Sequence, residues 1–185
     1  SFPTRRSSDL TSYDVVIIGG GGAGLTAAVT AAENGAKVVV LEKMSTVGGN
    51  TAISGGEMAA PGNWLQKENG IEDSADLLYE DMLKGGDNEN DPSLVRVIAD
   101  NALDGAIWLR DNIGVEWEDY MLFFGDHSVE RSLVPKGATG SEIVKKLEAK
   151  AKELGVTILT NTEAKALIAN GSDKDRINAV EAERN

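Results

Sequence analysis

Residues 13–24, which read YDVVIIGGGGAG, decide the fold of this 185-residue chain. A short β-branched run that ends in four glycines predicts a buried parallel strand followed by a tight turn. Residues 22–34 are rich in alanine and stop at Gly35, which predicts a helix with a glycine at its C-terminal end. The run KVVVL over residues 37–41 predicts a second buried strand. Together they predict a compact, right-handed βαβ unit.

The glycines of this stretch match the pattern G-x-G-x-x-G, and each has an expected role. Gly19 would turn the chain off the strand with torsions that a Cβ opposes. Gly21 would let the backbone approach a pyrophosphate, and Gly24 would let the helix pack closely against the strand. Ala23 lies in the first helical turn, where free N–H groups and the positive end of the helix dipole attract phosphates. The pattern therefore predicts a dinucleotide-binding loop.

Glu42, at the end of the second predicted strand, supports this interpretation. A carboxylate at that place can accept hydrogen bonds from ribose hydroxyls, and it would repel a 2′-phosphate, which disfavours NADP. The alternative is a solvated charge at a strand end. These residues alone leave both NAD and FAD open.

A second glycine-rich segment, GGNTAISGG over residues 48–56, favours FAD. The long flavin half of FAD needs a second surface, at which the protein backbone can approach it closely. Asn50 and Thr51 can supply amide and hydroxyl hydrogen bonds, while Gly55 and Gly56 permit close contact. The alternative is a mobile surface turn.

The GGGGAG loop, the Leu41-Glu42-Lys43 strand end and the GGNT…SGG segment together resemble the fumarate reductase/succinate dehydrogenase flavoprotein family, in particular its soluble, flavocytochrome c-like branch. The stretch KGGDNENDP at 84–92 resembles that branch too, and the resemblance covers residues 13–185. It implies a Rossmann-like FAD-binding domain of the α/β class, with a parallel sheet and a C-terminal β-hairpin. The residues expected to contact FAD are Gly19, Gly21, Ala23, Gly24, Glu42, Lys43, Gly49, Asn50, Thr51, Ser54, Gly55, Gly56 and Ala164.

The resemblance also bears on how FAD is attached. Membrane-complex members of the family bind FAD covalently through a histidine in the second segment. This chain has Asn50-Thr51 there and no histidine, so we expect non-covalent FAD. A departure from the family pattern is Glu57-Met58, where the soluble branch usually has Met-Asn.

By resemblance, the parent protein would move a hydride between the flavin and the carbon–carbon bond of a small unsaturated acid, with fumarate/succinate as the default. The family's catalytic Arg and His lie in a capping domain and a C-terminal return, which we expect to be missing here. We therefore interpret residues 11–185 as a truncated FAD-binding domain and assign no catalytic residue. The alternatives are an NAD-dependent dehydrogenase and a non-catalytic nucleotide-binding fragment. The electron donor stays open.

Residues 1–10 (SFPTRRSSDL) show no periodicity, and we interpret them as a non-native or disordered tail.

The 18 Lys and Arg against 30 Asp and Glu give a net charge of −12 without a basic stripe, which argues against nucleic acid or an anionic membrane as partner. The absence of cysteine excludes disulfides and thiolate-held clusters in this stretch, and it leaves the compartment open, with the cytoplasm favoured. No apolar run approaches the ~18 residues of a membrane span.

The remaining chain predicts further elements. Helices are expected over 73–83, from Asp91-Pro92 to about 113, and over 142–154, with a strand over 156–159. Residues 163–169 and 176–183 predict a hairpin around Asn170-Gly171. Residues 115–138 are expected to be irregular, with their aromatic side chains packed against helices.

Several polar residues are expected to have structural or surface roles. We expect the lone His127 to be structural or exposed, and Arg131 and Lys136 to be surface charges. Thr139 and Glu142 have capping-box spacing. Asp87, Glu89 and Asp91 predict a solvated turn, since the calcium-loop pattern is absent, and no metal ligand is assigned.

Overall fold

The computed structural model describes residues 10–169 and 176–184, which form two compact units. The first comprises residues up to 47 together with those from 147 onward, and the second comprises residues 48–146. The predicted tail therefore lies outside the described residues except for Leu10, and so does the predicted turn at Asn170-Gly171.

The described residues form strands and helices in a mixed order along the chain. In order, they are β1 (Val15–Ile18), α1 (Gly22–Glu33), β2 (Val38–Leu41), α2 (Gly49–Ile53), β3 (Met58–Ala59), α3 (Trp64–Glu68), α4 (Ala75–Gly85), α5 (Pro92–Asp111), β4 (Trp117–Leu122), β5 (Ser132–Pro135), α6 (Ser141–Glu153), β6 (Thr157–Leu159), β7 (Thr162–Ile168) and β8 (Ala179–Arg184).

The first unit contains the predicted βαβ unit. Its sheet is parallel with the order β1-β2-β6, and the central strand β2 is buried along its whole length. The helix α1 packs against β1 and β2 and buries Leu25, Ala28 and Val29. Gly35, with a φ of 84°, follows the helix end, as the sequence predicts. The predicted α/β fold with a parallel sheet is therefore confirmed.

The C-terminal hairpin is also confirmed. The strands β7 and β8 pair antiparallel from Thr162 with Arg184 to Ile168 with Ala179. The backbone N–H of Thr162 donates to the carbonyl of Glu42 over 2.8 Å, so the hairpin starts beside the end of β2. This contact places Ala164 in the neighbourhood of the predicted dinucleotide loop.

In the second unit, the prediction of irregular structure over 115–138 is wrong. This stretch supplies β4 and β5, which form an antiparallel sheet in the order β3-β5-β4. The pairing of β4 and β5 has a register shift between Trp117 and Met121, and charged residues interrupt the apolar pattern of β4. The alternation that predicts strands is therefore absent from the sequence here.

The helices of the second unit follow their capping residues. Ser74 accepts from the N–H of Leu77 at the start of α4, and Asp91 accepts from Ser93 at the start of α5, with Pro92 as the first helical residue. The short α3, which the sequence analysis did not predict, is capped by the buried Asn63. Among residues 10–169 and 176–184, no helix is both long and apolar enough to cross a bilayer.

Candidate functional site

The glycine loop between β1 and α1 has the geometry that its sequence predicts. Gly19 has a φ of 96°, and its N–H donates to the carbonyl of Leu41 over 2.8 Å. Gly21 is the N-cap of α1, with no side-chain cap and no acidic residue in the first turn. A Cβ on Gly24 would overlap the carbonyl oxygen of Gly19 and come within 3.3 Å of Ile17 Cγ2. The loop thus brings an anion-attracting helix end directly against the end of β1.

Glu42 is buried with 7% of its surface exposed, and its carboxylate is held by backbone donors on both oxygens. Oε2 accepts from the N–H of Gly20 over 2.8 Å, and Oε1 accepts from the N–H of Met44 over 2.7 Å. A Cβ on Gly20 would lie 2.8 Å from a methyl carbon of Val47 and 3.4 Å from Glu42 Oε2. Because a carboxylate has about four acceptor positions, both oxygens keep capacity for further donors such as ribose hydroxyls.

A cavity of about 300 Å³ in the first unit gathers four of the predicted site residues: Gly19, Glu42, Lys43 and Ala164. Its other lining residues are Ile18, Leu41, Thr162 and Glu163. It has one acidic side chain fixed by backbone amides, one exposed lysine and apolar strand residues. This is a suitable surface for an adenosine, which has a polar ribose and a flat apolar base.

Thr162 and Glu163 line this cavity but were not among the predicted site residues. Thr162 is buried, and its hydroxyl donates to the carbonyl of Thr160 over 2.9 Å. Glu163 pairs with Lys165, whose hydrogen bond lowers the pKa of the Glu163 carboxyl. No sequence signal marks these residues, because they reach the cavity only through the contact between the start of β7 and the end of β2.

The second glycine-rich segment is part of the second unit and includes the short helix α2. The Ser54 hydroxyl donates to the Thr51 carbonyl over 2.9 Å, and the Ser54 carbonyl accepts from the N–H of Gly140 over 2.8 Å. The Ser141 hydroxyl donates to the carbonyl of Ala52 over 2.8 Å. The start of α6 therefore holds the backbone of this segment through hydrogen bonds.

Two glycines of the segment, Gly48 and Gly56, are required by their torsions and by close approaches. Gly48 and Gly56 have φ values of 120° and 77°. A Cβ on Gly56 would lie 2.6 Å from the Cα of Gly140, and a Cβ on Gly55 would overlap the carboxylate of Glu57. Gly49 and Asn50 are exposed at the start of α2. Within the described residues, Glu57 has no hydrogen-bond or ion-pair partner.

The prediction that Arg131 is a surface charge is wrong. Its side chain is fully buried between two aspartates: Nε lies 2.8 Å from Asp73 Oδ2, and Nη1 lies 2.6 Å from Asp81 Oδ2. Burial alone would raise the pKa of Asp81, but hydrogen bonds from Ser128 and Arg131 outweigh it and lower the pKa. Asp73 lies just before α4 and Asp81 lies within it, 58 and 50 residues from Arg131 in sequence, so local pattern could not reveal the network.

Lys136 is a surface charge, as predicted. It pairs with Glu118 over 2.8 Å, and this hydrogen bond raises the pKa of the lysine.

The capping-box interpretation of Glu142 is wrong. Glu142 Oε1 instead accepts from the backbone N–H of Glu116 over 3.2 Å, while the Thr139 hydroxyl accepts from Ser141. The helix begins at Ser141, so Glu142 lies too near its start to complete the box.

The aromatic prediction is correct in part. Trp64 and Trp117 meet edge to face with ring centroids 6.1 Å apart and pack on the cluster around Leu133. Phe123 and Phe124, in contrast, are 55% and 43% exposed, because the chain leaves β4 before them.

The predicted turn before α5 is present: Asp87 and Asn88 have positive φ values, and hydrogen bonds from Ser93 lower the pKa of Asp91. His127 lies in a loop, with its Nδ1 atom buried. In the described parts of the chain, no three His, Cys, Asp or Glu side chains converge as a metal site would require.

Comparison with known proteins agrees with this geometry. Residues 14–185 match the FAD binding domain family. The chain is 51% identical over 163 residues to a urocanate reductase of Eggerthella lenta, an alignment that covers 88% of this chain and 27% of that protein. It is 36% identical over 153 residues to a fumarate reductase (cytochrome) of Shewanella frigidimarina, covering 82% of this chain and 26% of that protein.

Solved structures give the same result. An open conformation of a flavocytochrome c3 fumarate reductase matches with a TM-score of 0.80 at 35% identity, over 85% of this chain and 28% of that one. A 3-ketosteroid-Δ4-(5α)-dehydrogenase from Rhodococcus jostii RHA1 matches with a TM-score of 0.84 at 25% identity, over 97% of this chain and 44% of that one. The chain belongs to the FAD-binding domain family of flavoprotein oxidoreductases. The chain spans about a quarter of the length of the urocanate reductase and of the fumarate reductase (cytochrome).

Proposed function

We propose that this chain is the FAD-binding portion of an oxidoreductase that adds hydride to, or removes it from, the carbon–carbon bond of a small unsaturated acid. The observation that carries the proposal is the convergence of Gly19, Glu42, Lys43 and Ala164 on one cavity beside the N-terminus of α1. An NAD-dependent dehydrogenase is disfavoured by the family match, which is to a FAD-binding domain.

The residues of the first unit suit the adenosine diphosphate half of FAD. Gly21, Ala23 and Gly24 would face the diphosphate at the start of α1, where the dipole is positive and acidic side chains are absent from the first turn. Glu42 would accept the ribose hydroxyls, and Lys43 and Ala164 would border the adenine. The residues proposed for the flavin half lie in the second unit: Gly49, Asn50, Thr51, Ser54, Gly55 and Gly56.

Bound FAD would supply the hydride donor and acceptor, while the protein supplies position and electrostatics. We propose non-covalent binding, because the segment over 48–56 contains no histidine and the whole sequence contains no cysteine. The test is to reconstitute the chain with FAD, remove free flavin and precipitate the protein with acid. Release of all flavin into the supernatant supports the proposal, whereas flavin that stays with the precipitate contradicts non-covalent attachment. A protein that retains no flavin contradicts the proposed function itself.

For the substrate, the comparisons favour urocanate over the default fumarate. The identity to the urocanate reductase is 51%, against 36% to the fumarate reductase. The unpaired carboxylate of Glu57 agrees with this choice. It directly follows the proposed flavin segment, where it would repel the second carboxylate of fumarate and accept a hydrogen bond from the N–H of an imidazole ring.

The substrate proposal is tested in the longer protein that we propose contains this chain. Glu57→Gln keeps the side-chain size and removes the charge, so kcat/KM should fall about tenfold for urocanate and should not fall for fumarate, as expected for one lost charge-assisted hydrogen bond. Glu68→Gln, a change at the end of α3, serves as the matched control. Equal losses on both acids, or no loss on either, would reject a role for Glu57 in substrate choice.

A further inference from the structure

The short helix α2, which contains three of the residues proposed to hold the flavin half of FAD, lacks the usual source of helix stability. It is five residues long, and none of these described residues is buried. Its N-cap is Gly48, which has no side chain to cap it. Because a helix this short is unstable alone and normally depends on burying an apolar face, α2 must be held by other contacts.

The carbonyl groups of α2 identify those contacts. The last carbonyls of any helix have no partner within the helix itself. In α2, the carbonyl of Thr51 accepts from the hydroxyl of Ser54 over 2.9 Å, and that of Ala52 accepts from the hydroxyl of Ser141 over 2.8 Å. Ser54 belongs to the same glycine-rich segment, whereas Ser141 is the first residue of α6, 89 positions later. Ser141 thus ties α2 to a longer helix.

Ser141 is itself held firmly enough to act as a fixed donor. Its backbone N–H donates to the hydroxyl of Thr139 over 3.2 Å, and the buried Val144 anchors the same turn of α6 in the core. The preceding Gly140 lets the two backbones come together, since a Cβ there would overlap the carbonyl oxygen of Thr51. The position of α2 therefore follows the position of α6.

We propose that Ser141 is a positioning residue for the flavin half of FAD. It acts through the Ala52 carbonyl, which it holds so that Asn50 and Thr51 are in place before the flavin arrives. This inference rests on the proposed function, in which α2 contacts the flavin. Without the Ser141 hydroxyl, α2 would have to be ordered during binding, and that ordering would reduce the affinity.

The proposal predicts a difference between two ligands. The residues proposed for the adenosine diphosphate half, such as Gly21 and Glu42, lie in the first unit, whereas α2 and Ser141 lie in the second. Loss of the Ser141 hydroxyl should therefore weaken FAD and leave ADP unaffected. A general loss of stability would weaken both ligands, so the comparison separates positioning from a merely structural role.

The test is calorimetric titration of the chain with FAD and, separately, with ADP. Ser141→Ala should raise the Kd for FAD about three- to tenfold, as expected for one lost neutral hydrogen bond, and should leave the Kd for ADP unchanged. Ser141→Thr keeps the hydroxyl and should restore the affinity for FAD. Ser128→Ala is the matched control, because it removes a hydroxyl of the same unit that donates to Asp81, and it should change neither Kd.

Hydrogen exchange provides a second readout that needs no ligand. In Ser141→Ala, amides over residues 49–54 should exchange faster than in the wild type, while those over 15–24 should keep their rates. If Ser141→Ala does not fold, Ser141→Cys decides in the same titrations, because a thiol keeps the shape and is a weak donor.

The outcomes distinguish this inference from the function on which it rests. Equal weakening of FAD and ADP, or wild-type affinity for FAD in the variant without the hydroxyl, overturns the positioning role alone. A wild-type chain that does not bind FAD contradicts the proposed function, and the role of Ser141 falls with it.

Discussion

The carboxylate of Glu42 accepts the backbone N–H of Gly20 over 2.8 Å, so the end of β2 is tied to the glycine loop that precedes α1. The same carboxylate accepts the N–H of Met44 over 2.7 Å. A residue expected to contact ribose is thus also a structural link, and its position is set by the backbone before any ligand arrives.

Glu42→Gln should therefore weaken both the fold and FAD binding. A glutamine amide can accept only one of the two N–H groups and turns its own NH₂ towards the other donor, at a cost of about 1–3 kcal/mol in unfolding free energy. Affinity for FAD should fall as well, because the charged acceptor of the ribose is lost. Urea unfolding and flavin fluorescence titration measure the two effects.

The matched control is Glu163→Gln, since Glu163 lines the same cavity with a side chain that is 45% exposed. It should change stability by less than about 0.5 kcal/mol, as surface substitutions do. If Glu42→Gln behaves like this control in both measurements, the hydrogen bonds at Glu42 carry no energy and the ribose assignment loses its support.

Gly24→Ala tests the close packing of α1 on the end of β1. The new Cβ would overlap the carbonyl oxygen of Gly19, and neither backbone can yield without moving the loop. We expect a loss of about 2–3 kcal/mol or more, typical of overpacking in a close-packed interior. Gly105→Ala is the control, because its Cβ meets only the flexible end of Met58 at 3.2 Å and gains up to about 1 kcal/mol of helix propensity. In thermal unfolding, the two variants should shift the midpoint temperature in opposite directions, or Gly24→Ala should at least lower it clearly more than Gly105→Ala does.

Arg131→Met should be among the most destabilising single changes in the second unit. It leaves the buried carboxylates of Asp73 and Asp81 without their cation, and the loss of one partner of a buried pair costs about 3–5 kcal/mol. Arg96→Met removes an arginine that also pairs with two aspartates but is 36% exposed, and it should cost at most about 1 kcal/mol. Similar costs in chemical denaturation would mean that the buried network contributes no more than a surface pair.

The stability contributed by Asp81 should depend on pH. Its pKa is lowered in the fold, since hydrogen bonds from Ser128 and Arg131 outweigh the effect of burial. The unfolded chain therefore takes up the proton first, with a pKa of about 3.9. The contribution is fully present above that pH and is lost as the pH falls through the lower, folded-state value.

Ser128→Ala removes a hydroxyl that donates to Asp81 over 2.6 Å, so it should destabilise the protein at pH 7 and progressively less below pH about 4. Ser141→Ala removes a hydroxyl that donates to a backbone carbonyl, and its effect should not vary with pH. Urea unfolding at pH 3 and pH 7 separates the two. A pH-independent cost for Ser128→Ala would contradict the coupling to Asp81.

The sequence predicts the first unit well because its signals are local. The order of strand, glycine turn and helix fixes Gly19 and Gly24 through torsion and contact, and these lie within a few residues of each other. The capping residues Asp91 and Ser74 also act over two or three positions.

The errors share a different physical origin, since they depend on contacts between distant parts of the chain. Arg131 is buried because acids 58 and 50 residues away neutralise it. Glu142 turns from its own helix to a backbone donor 26 residues away. The strands β4 and β5 stabilise each other despite an interrupted apolar pattern. None of these pairings can be read from composition or spacing within one segment.

The attachment of the second glycine segment to the start of α6 has a consequence for biosynthesis. Ser141 holds the carbonyl of Ala52 across 89 positions of sequence. During translation, a nascent chain that has not yet exposed Ser141 outside the ribosome cannot fix this segment, even though the glycine loop emerged much earlier. The order of synthesis therefore implies that this segment is fixed only after the start of α6 emerges, and that the cavity beside Glu42 is completed later still, when Thr162 and Ala164 follow.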